Sequence, residues 1–165
     1  MTACRIDAGG RYLSATCAGQ GSPLVVLENG FIAESDSWKA VAEGISEFTR
    51  VCVYDRAGRG SSDPAPKPRN AADLVADLRA VVHSPEVGAK GKVILVGQSF
   101  GGLLVRLYAQ RHPGEVAGLV LVDSMHEDQF EAMGPSFPDY RDGEPAMLTG
   151  MRAFWREGWR HPEDN

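Results

Sequence analysis

The sequence predicts an α/β fold, a mostly parallel sheet with helices on both faces, from three observations. Its segments PLVVLE, RVCVYD, KVILVG and VAGLVLVD are short, apolar and rich in β-branched residues, which suits strands buried on both sides. Between them lie segments whose apolar residues recur every three or four positions, the spacing of a helix face. Strand–helix repetition of this kind requires crossover connections, and these lay successive strands parallel in one sheet.

The elements follow in order. Residues 5–18 alternate loosely and break at Gly9-Gly10, which predicts two short antiparallel strands ahead of the parallel region. PLVVLE is a strand closed by Asn29-Gly30. Ser35 to Phe48 should form a helix with Trp38, Val41, Ala42, Ile45 and Phe48 on one face. RVCVYD is the next strand, running into AGRGSS and the proline-rich PAPKPR. Asn70 is a good N-cap for a helix presenting Leu74, Val75, Leu78, Val81 and Val82. KVILVG is a strand, Phe100 to Arg111 a helix closed by His112-Pro113-Gly114, and VAGLVLVDS a further strand. After Met125 the strand pattern stops, and one helix is expected around Ala146 to Trp159.

Composition narrows the function. At 165 residues the chain fits one domain with a sizeable core. A net charge of -5 with no basic block argues against a nucleic-acid partner. No run approaches the ~18 to 20 apolar residues of a membrane span, and the N-terminus MTACRIDAGGRYL lacks the layout of a signal peptide, so a cytoplasmic protein without a membrane partner is expected. Cys4, Cys17 and Cys52 have no metal-ligand spacing and are expected to be free buried thiols. A Cys4–Cys17 bridge across the hairpin is the alternative, unusual in a reducing compartment.

The chemistry centres on GQSFG, with a strand before it and an amphipathic helix after it. A serine on so sharp a corner has a strained backbone and an exposed hydroxyl, and the flanking Gly97 and Gly101 avoid collisions with the neighbouring strand and helix. Phosphate-binding loops are the competing use of such a turn, but neither G-x-x-x-x-G-K-[ST] nor G-x-G-x-x-G occurs there. Acyl transfer from Ser99 also requires backbone N–H groups aimed at an oxyanion. The Phe100 amide is one such donor. The loop after PLVVLE would bring the Phe31 amide as the second, or Asn29-Gly30 is simply a turn.

These segments resemble the α/β-hydrolase fold family: an Asn-Gly turn after the third strand where many members have His-Gly, then YDRAGRGSS after the fourth, then GQSFG, with RHPGEVAGLVLVDS similar to the family's helix end and sixth strand. The resemblance implies an α/β-hydrolase type of sheet, with residues 1–126 forming the N-terminal part of the core and 127–165 the start of an incomplete lid. It implies Ser99 as nucleophile, Phe31 and Phe100 as the backbone oxyanion hole, and Asp55, Arg56, Gly58 and Gly60 as shaping a loop beside the pocket. The substrate class implied is a small-molecule carboxylic ester or related acyl compound, cleaved through an acyl-enzyme, with no metal or organic cofactor. Epoxide and haloalkane hydrolases of the family place an aspartate where Ser99 stands.

The pattern departs from the family in lacking the last two strands, which carry the usual acid and the histidine. The expectation is therefore the N-terminal portion of a longer hydrolase. Of the four histidines, His83 and His112 read as structural and His161 lies in the polar tail. His126 is on the sheet end where ligands bind, either as a partner of Ser99 or as a lid-entry residue. Asp123, ending the last strand, is either an orienting acid, as in some members, or a turn or capping residue. Phe130, Met133, Phe137, Phe154 and Trp155 are pocket lining or plain core. An uncovered VAGLVLV edge should drive self-association. The rival function is a non-catalytic domain binding an acyl ligand or a protein partner.

Overall fold

The computed structural model describes residues 1–129. Its strands are β1 (Thr2–Asp7), β2 (Tyr12–Ala18), β3 (Val25–Glu28), β4 (Val51–Tyr54), β5 (Val93–Gln98) and β6 (Val116–Val122). They form one sheet in the order β1-β2-β4-β3-β5-β6. β1 pairs antiparallel with β2 and β2 with β4, while β4, β3, β5 and β6 run parallel. The hairpin turns where predicted, through Gly9 at φ 77° and Gly10 at φ 87°. Gly10 N–H donates to Asp7 Oδ1 at 2.9 Å.

Helices α1 (Lys39–Ser46), α2 (Ala71–His83) and α3 (Phe100–Arg111) cover both faces. On one face Trp38 and Ala42 pack against Val25, Leu27, Val51, Val53 and Val96. On the other, Val75, Leu78, Leu104 and Leu107 of α2 and α3 share a core with Leu24, Val26, Cys52 and Leu95. The alternation of Val25 and Leu27 against Leu24 and Val26 is the period-two pattern of a strand sandwiched between layers. α2 begins at the predicted cap: Asp73 N–H donates to Asn70 Oδ1 at 3.2 Å, and Asn70 N–H to Asp73 Oδ2 at 2.8 Å.

Two expectations are corrected. The predicted helix from Ser35 begins as a 3-10 turn over Ser35–Trp38, and its apolar face is narrower than the spacing implied. Trp38 and Ala42 are buried, but Val41 is 46% and Phe48 75% exposed. Val41 sits one residue off the row that meets the sheet, and Phe48 lies beyond the helix end at Ser46. The cysteines differ as well. Cys17 and Cys52 form a disulfide, and only Cys4 is free. Register is the reason: β2 and β4 set Cys17 directly opposite Cys52, whereas β1 and β2 set Cys4 opposite Ala15. Closing a loop of 35 residues' separation stabilises by roughly 4 kcal/mol in the chain-entropy account.

β6 is an edge of the sheet among the described residues. Its Leu119, Val120, Leu121 and Val122 are 38%, 48%, 47% and 40% exposed. The helix expected around Ala146 to Trp159 lies outside the described residues. No helix among them is long and apolar enough to cross a membrane.

At the opposite end of the sheet from Ser99, Glu115 joins α2, α3 and the start of β6. It accepts from Arg79 Nη2 at 2.8 Å and Tyr108 OH at 2.5 Å, with His83 Nε2 at 2.9 Å. Burial alone would raise the Glu115 carboxyl, but the hydrogen bonds from Arg79, Tyr108 and His83 outweigh it and bring its pKa down to about 2. A folded-state pKa below the unfolded one gives stability that is complete above the ordinary carboxylate range and lost as pH falls toward 2. Glu115→Gln should accordingly flatten the loss of stability between pH 4.5 and 2, measured by denaturant melts across that range. An unchanged acid limb would show that the cluster contributes nothing.

Candidate active site

β5 ends at Gln98 and α3 begins at Phe100, so Ser99 alone turns the chain. Its φ of 51° and ψ of -117° are a conformation that L-residues rarely adopt, at a cost of about 1 to 3 kcal/mol. Neighbouring backbone holds it there. Ser99 N–H donates to the Val122 carbonyl at 3.0 Å, and the Ser99 carbonyl accepts from Gly102 N–H at 3.0 Å and Met125 N–H at 3.1 Å.

Close approach explains the glycines. A Cβ on Gly97 would lie 2.5 Å from the Gly101 carbonyl oxygen, and one on Gly101 would lie 2.5 Å from the carbonyl oxygens of both Glu28 and Asn29. α3 is thus seated directly on the tip of β3. Gly102 is equally confined, its Cβ position falling 2.0 Å from Ser124 Oγ.

The loop after β3 rests on a buried charge. Arg56 Nη1 donates to Glu28 Oε1 at 2.6 Å and to the Asn29 carbonyl at 2.7 Å, while Nη2 donates to the Gly30 carbonyl and to that of Phe31 at 3.0 Å. The other oxygen of Glu28 accepts from Tyr54 OH. Burial pushes the Glu28 carboxyl up, and Arg56 and the Tyr54 hydrogen bond pull against it. Burial, then the charge of Glu28, pushes the Tyr54 phenol well above its ordinary range, so it is a hydrogen-bond donor throughout. Asn29 Nδ2 donates to the Tyr54 carbonyl at 3.0 Å. The loop tip returns to the elbow, where the Phe31 and Phe100 rings meet edge to face with centroids 5.4 Å apart. Phe31 and Ile32 remain 38% and 74% exposed beside Ser99's helix.

Asp55 pins the neighbouring loop, accepting from Ser35 N–H at 2.8 Å and Ser61 N–H at 3.4 Å. Gly60, at φ 46°, passes so close that a Cβ would lie 2.2 Å from Asp55 Oδ2. Gly58 has φ 75°.

Asp123 follows β6 at φ 44°, exposed, inside the 122–125 segment that clasps Ser99. His126 faces Arg106, with Nε2 3.3 Å from Arg106 Nη2, and its Nδ1 accepts from Asp128 N–H at 3.1 Å. Among the described residues no histidine hydrogen-bonds the Ser99 hydroxyl. His83 is taken up by Glu115, and His112 stacks edge-on with Tyr108. His161 and the aromatic residues from Phe130 onward lie outside the described residues. His126, Glu127 and Asp128 offer donor atoms within 4.8 Å of one another, but Arg106 already grips Glu127 at 2.9 Å.

Sequence reasoning missed Glu28 and Tyr54. The signal was a lone acid ending an apolar strand and a tyrosine two residues before Arg56. Only the β3–β4 pairing, where Val26 faces Cys52, brings them together.

The family model for the alpha/beta hydrolase fold matches residues 23–149, from the start of β3 to beyond β6. The chain belongs to the alpha/beta hydrolase fold family. It is 42% identical over 106 residues to a pimeloyl-[acyl-carrier protein] methyl ester esterase of Chromobacterium violaceum, a match covering 63% of this chain and 37% of that protein. A thermophilic esterase from Thermogutta terrifontis superposes with a TM-score of 0.66 at 25% identity, covering 91% of this chain and 57% of that one. Epoxide hydrolase A from Mycobacterium thermoresistibile gives 0.65 at 29%, covering 73% and 38%. The chain thus spans between about a third and three fifths of these hydrolases. In this chain the seat of α3 on β3 is testable. Gly101→Ala should destabilise by about 1 to 3 kcal/mol through overpacking against fixed backbone, read from denaturant melts. A neutral change would mean that α3 can shift without cost.

Proposed function

We propose that the protein is a serine hydrolase cleaving a small-molecule carboxylic ester or related acyl bond through an acyl-enzyme on Ser99. The strained, backbone-clasped corner at Ser99 carries this reading. A left-handed serine between a strand and a helix N-terminus has its hydroxyl lifted clear of the sheet, where a substrate carbonyl can approach. Serine there, rather than aspartate, favours the chemistry of the esterase relative over that of the epoxide hydrolase.

In this mechanism Ser99 Oγ attacks the acyl carbon and its proton passes to a histidine, which we assign to sequence of a longer parent chain. The N–H groups of Phe31 and Phe100 stabilise the oxyanion, each worth roughly 3 to 4 kcal/mol. Collapse expels the alcohol with that proton, and water then hydrolyses the acyl-enzyme. We keep Asp123, in the segment that clasps Ser99, as the candidate for the acid that orients the base. Phe31 and Ile32 favour an apolar acyl or alcohol group. A cytoplasmic chain would keep Cys17 and Cys52 as thiols, so the closed bridge sits more easily in an oxidising compartment.

In the longer parent chain that carries the histidine, a fluorophosphonate probe should label Ser99 and leave Ser99→Ala unlabelled. Failure of both to react favours the second reading, a hydrolase-like domain that binds an acyl ligand without turnover. That reading draws on the lack of a histidine bonded to Ser99 among the described residues.

We also propose self-association through β6, whose half-exposed apolar residues and outer edge, unpaired among the described residues, are a template for another strand. Val120→Lys should shift the light-scattering mass from oligomer toward monomer. A wild-type chain that is already a monodisperse monomer overturns this.

A further inference from the structure

We infer that Arg56 is the positioning residue of the oxyanion site: by hydrogen-bonding the Gly30 carbonyl, it turns the N–H of the same peptide, that of Phe31, toward Ser99 and polarises it. The inference rests on the serine-hydrolase reading above and adds to it a residue that touches no reacting atom.

The geometry begins with three consecutive carbonyls, those of Asn29, Gly30 and Phe31, which all accept from one guanidinium. Successive carbonyls along an extended strand point to opposite sides. Three gathered on one cation are a deliberate reversal, and an array of planar donors suits it. The Gly30–Phe31 peptide is trans, since among the described residues the cis bonds are Ser22-Pro23 and Lys67-Pro68. In a trans peptide the C=O and N–H point in opposite directions. With its oxygen on Arg56, the peptide must present the Phe31 N–H on the far side. The elbow adjoins this loop: Gly101 abuts the Asn29 carbonyl, Gln98 abuts Gly30, the Phe31 ring rests on that of Phe100, and the Arg56 guanidinium lies over the same Phe100 ring, 5.6 Å from its centroid.

A cationic donor on a carbonyl also draws electron density along the peptide and makes its N–H a stronger donor. Glu28 and Tyr54 hold the guanidinium from the other side. The Glu28 charge balances that of Arg56, so the effect on an oxyanion is transmitted through the peptide and is not a bare positive charge beneath the site.

The test compares Ser99 labelling by a fluorophosphonate in the longer parent chain that carries the histidine, as wild type, Arg56→Lys and the paired variant Glu28→Gln/Arg56→Met, which leaves no lone buried charge. The paired variant should react about 10²-fold more slowly, the scale of losing one oxyanion donor. The loss should fall in the inactivation rate at saturation and leave the half-saturating probe concentration unchanged. Lysine, a single point donor, should restore part of the rate. A paired variant that melts cooperatively and labels within twofold of wild type overturns the inference, as does a loss that follows melting temperature across the series. Should wild-type Ser99 not label, the serine-hydrolase reading fails separately, and Arg56 is judged by backbone NMR. The Phe31 amide proton must then move upfield in the paired variant, and an unmoved resonance overturns the inference.

Discussion

A guanidinium buried beneath the Ser99 corner must be neutralised and fully hydrogen-bonded, and much of this molecule's architecture answers to that need. Arg56 is 7% exposed and Glu28 fully enclosed. Breaking such a pair by removing one partner costs about 3 to 5 kcal/mol, because the survivor is left charged and dry. The pair therefore dictates its surroundings. β3 must end in an acid and β4 must end beside it, with Tyr54 there to occupy the second carboxylate oxygen. The following loop must fold its carbonyls inward. The backbone N–H groups of that loop are then left for other uses.

Against this polar plug stands a steric one. α3 approaches the tip of β3 closely enough that no side chain fits at Gly101, and the end of β5 closely enough that none fits at Gly97, and these contacts hold Ser99 in its left-handed conformation. Strain at one residue is sustainable because three backbone hydrogen bonds from two other segments converge on it. Segment 122–125 supplies two of these, so the end of β6 belongs to the site as much as to the sheet.

Much of the fold was legible because its signals are local. The apolar runs, the three- and four-residue spacings, the cap at Asn70 and the glycines around Ser99 each report on a few neighbouring positions. What escaped depends on which strands lie side by side. Cys17 and Cys52 look unrelated until β2 and β4 are in register. Glu28 and Tyr54 look like an isolated acid and a core aromatic until β3 and β4 pair. Val41 and Phe48 fit a helical period, yet whether such a position is covered depends on how the helix lies on the sheet.

The bridge between β2 and β4 has a consequence for the integrity of the chain. It closes a covalent ring around everything from Cys17 to Cys52, including β3, α1 and the loop that carries Phe31. A protease that nicks the exposed residues of that ring produces two polypeptides but no separated fragments. Each piece stays tethered through sulfur and hydrogen-bonded in the sheet, so the nicked protein can retain its shape until a reductant releases the halves.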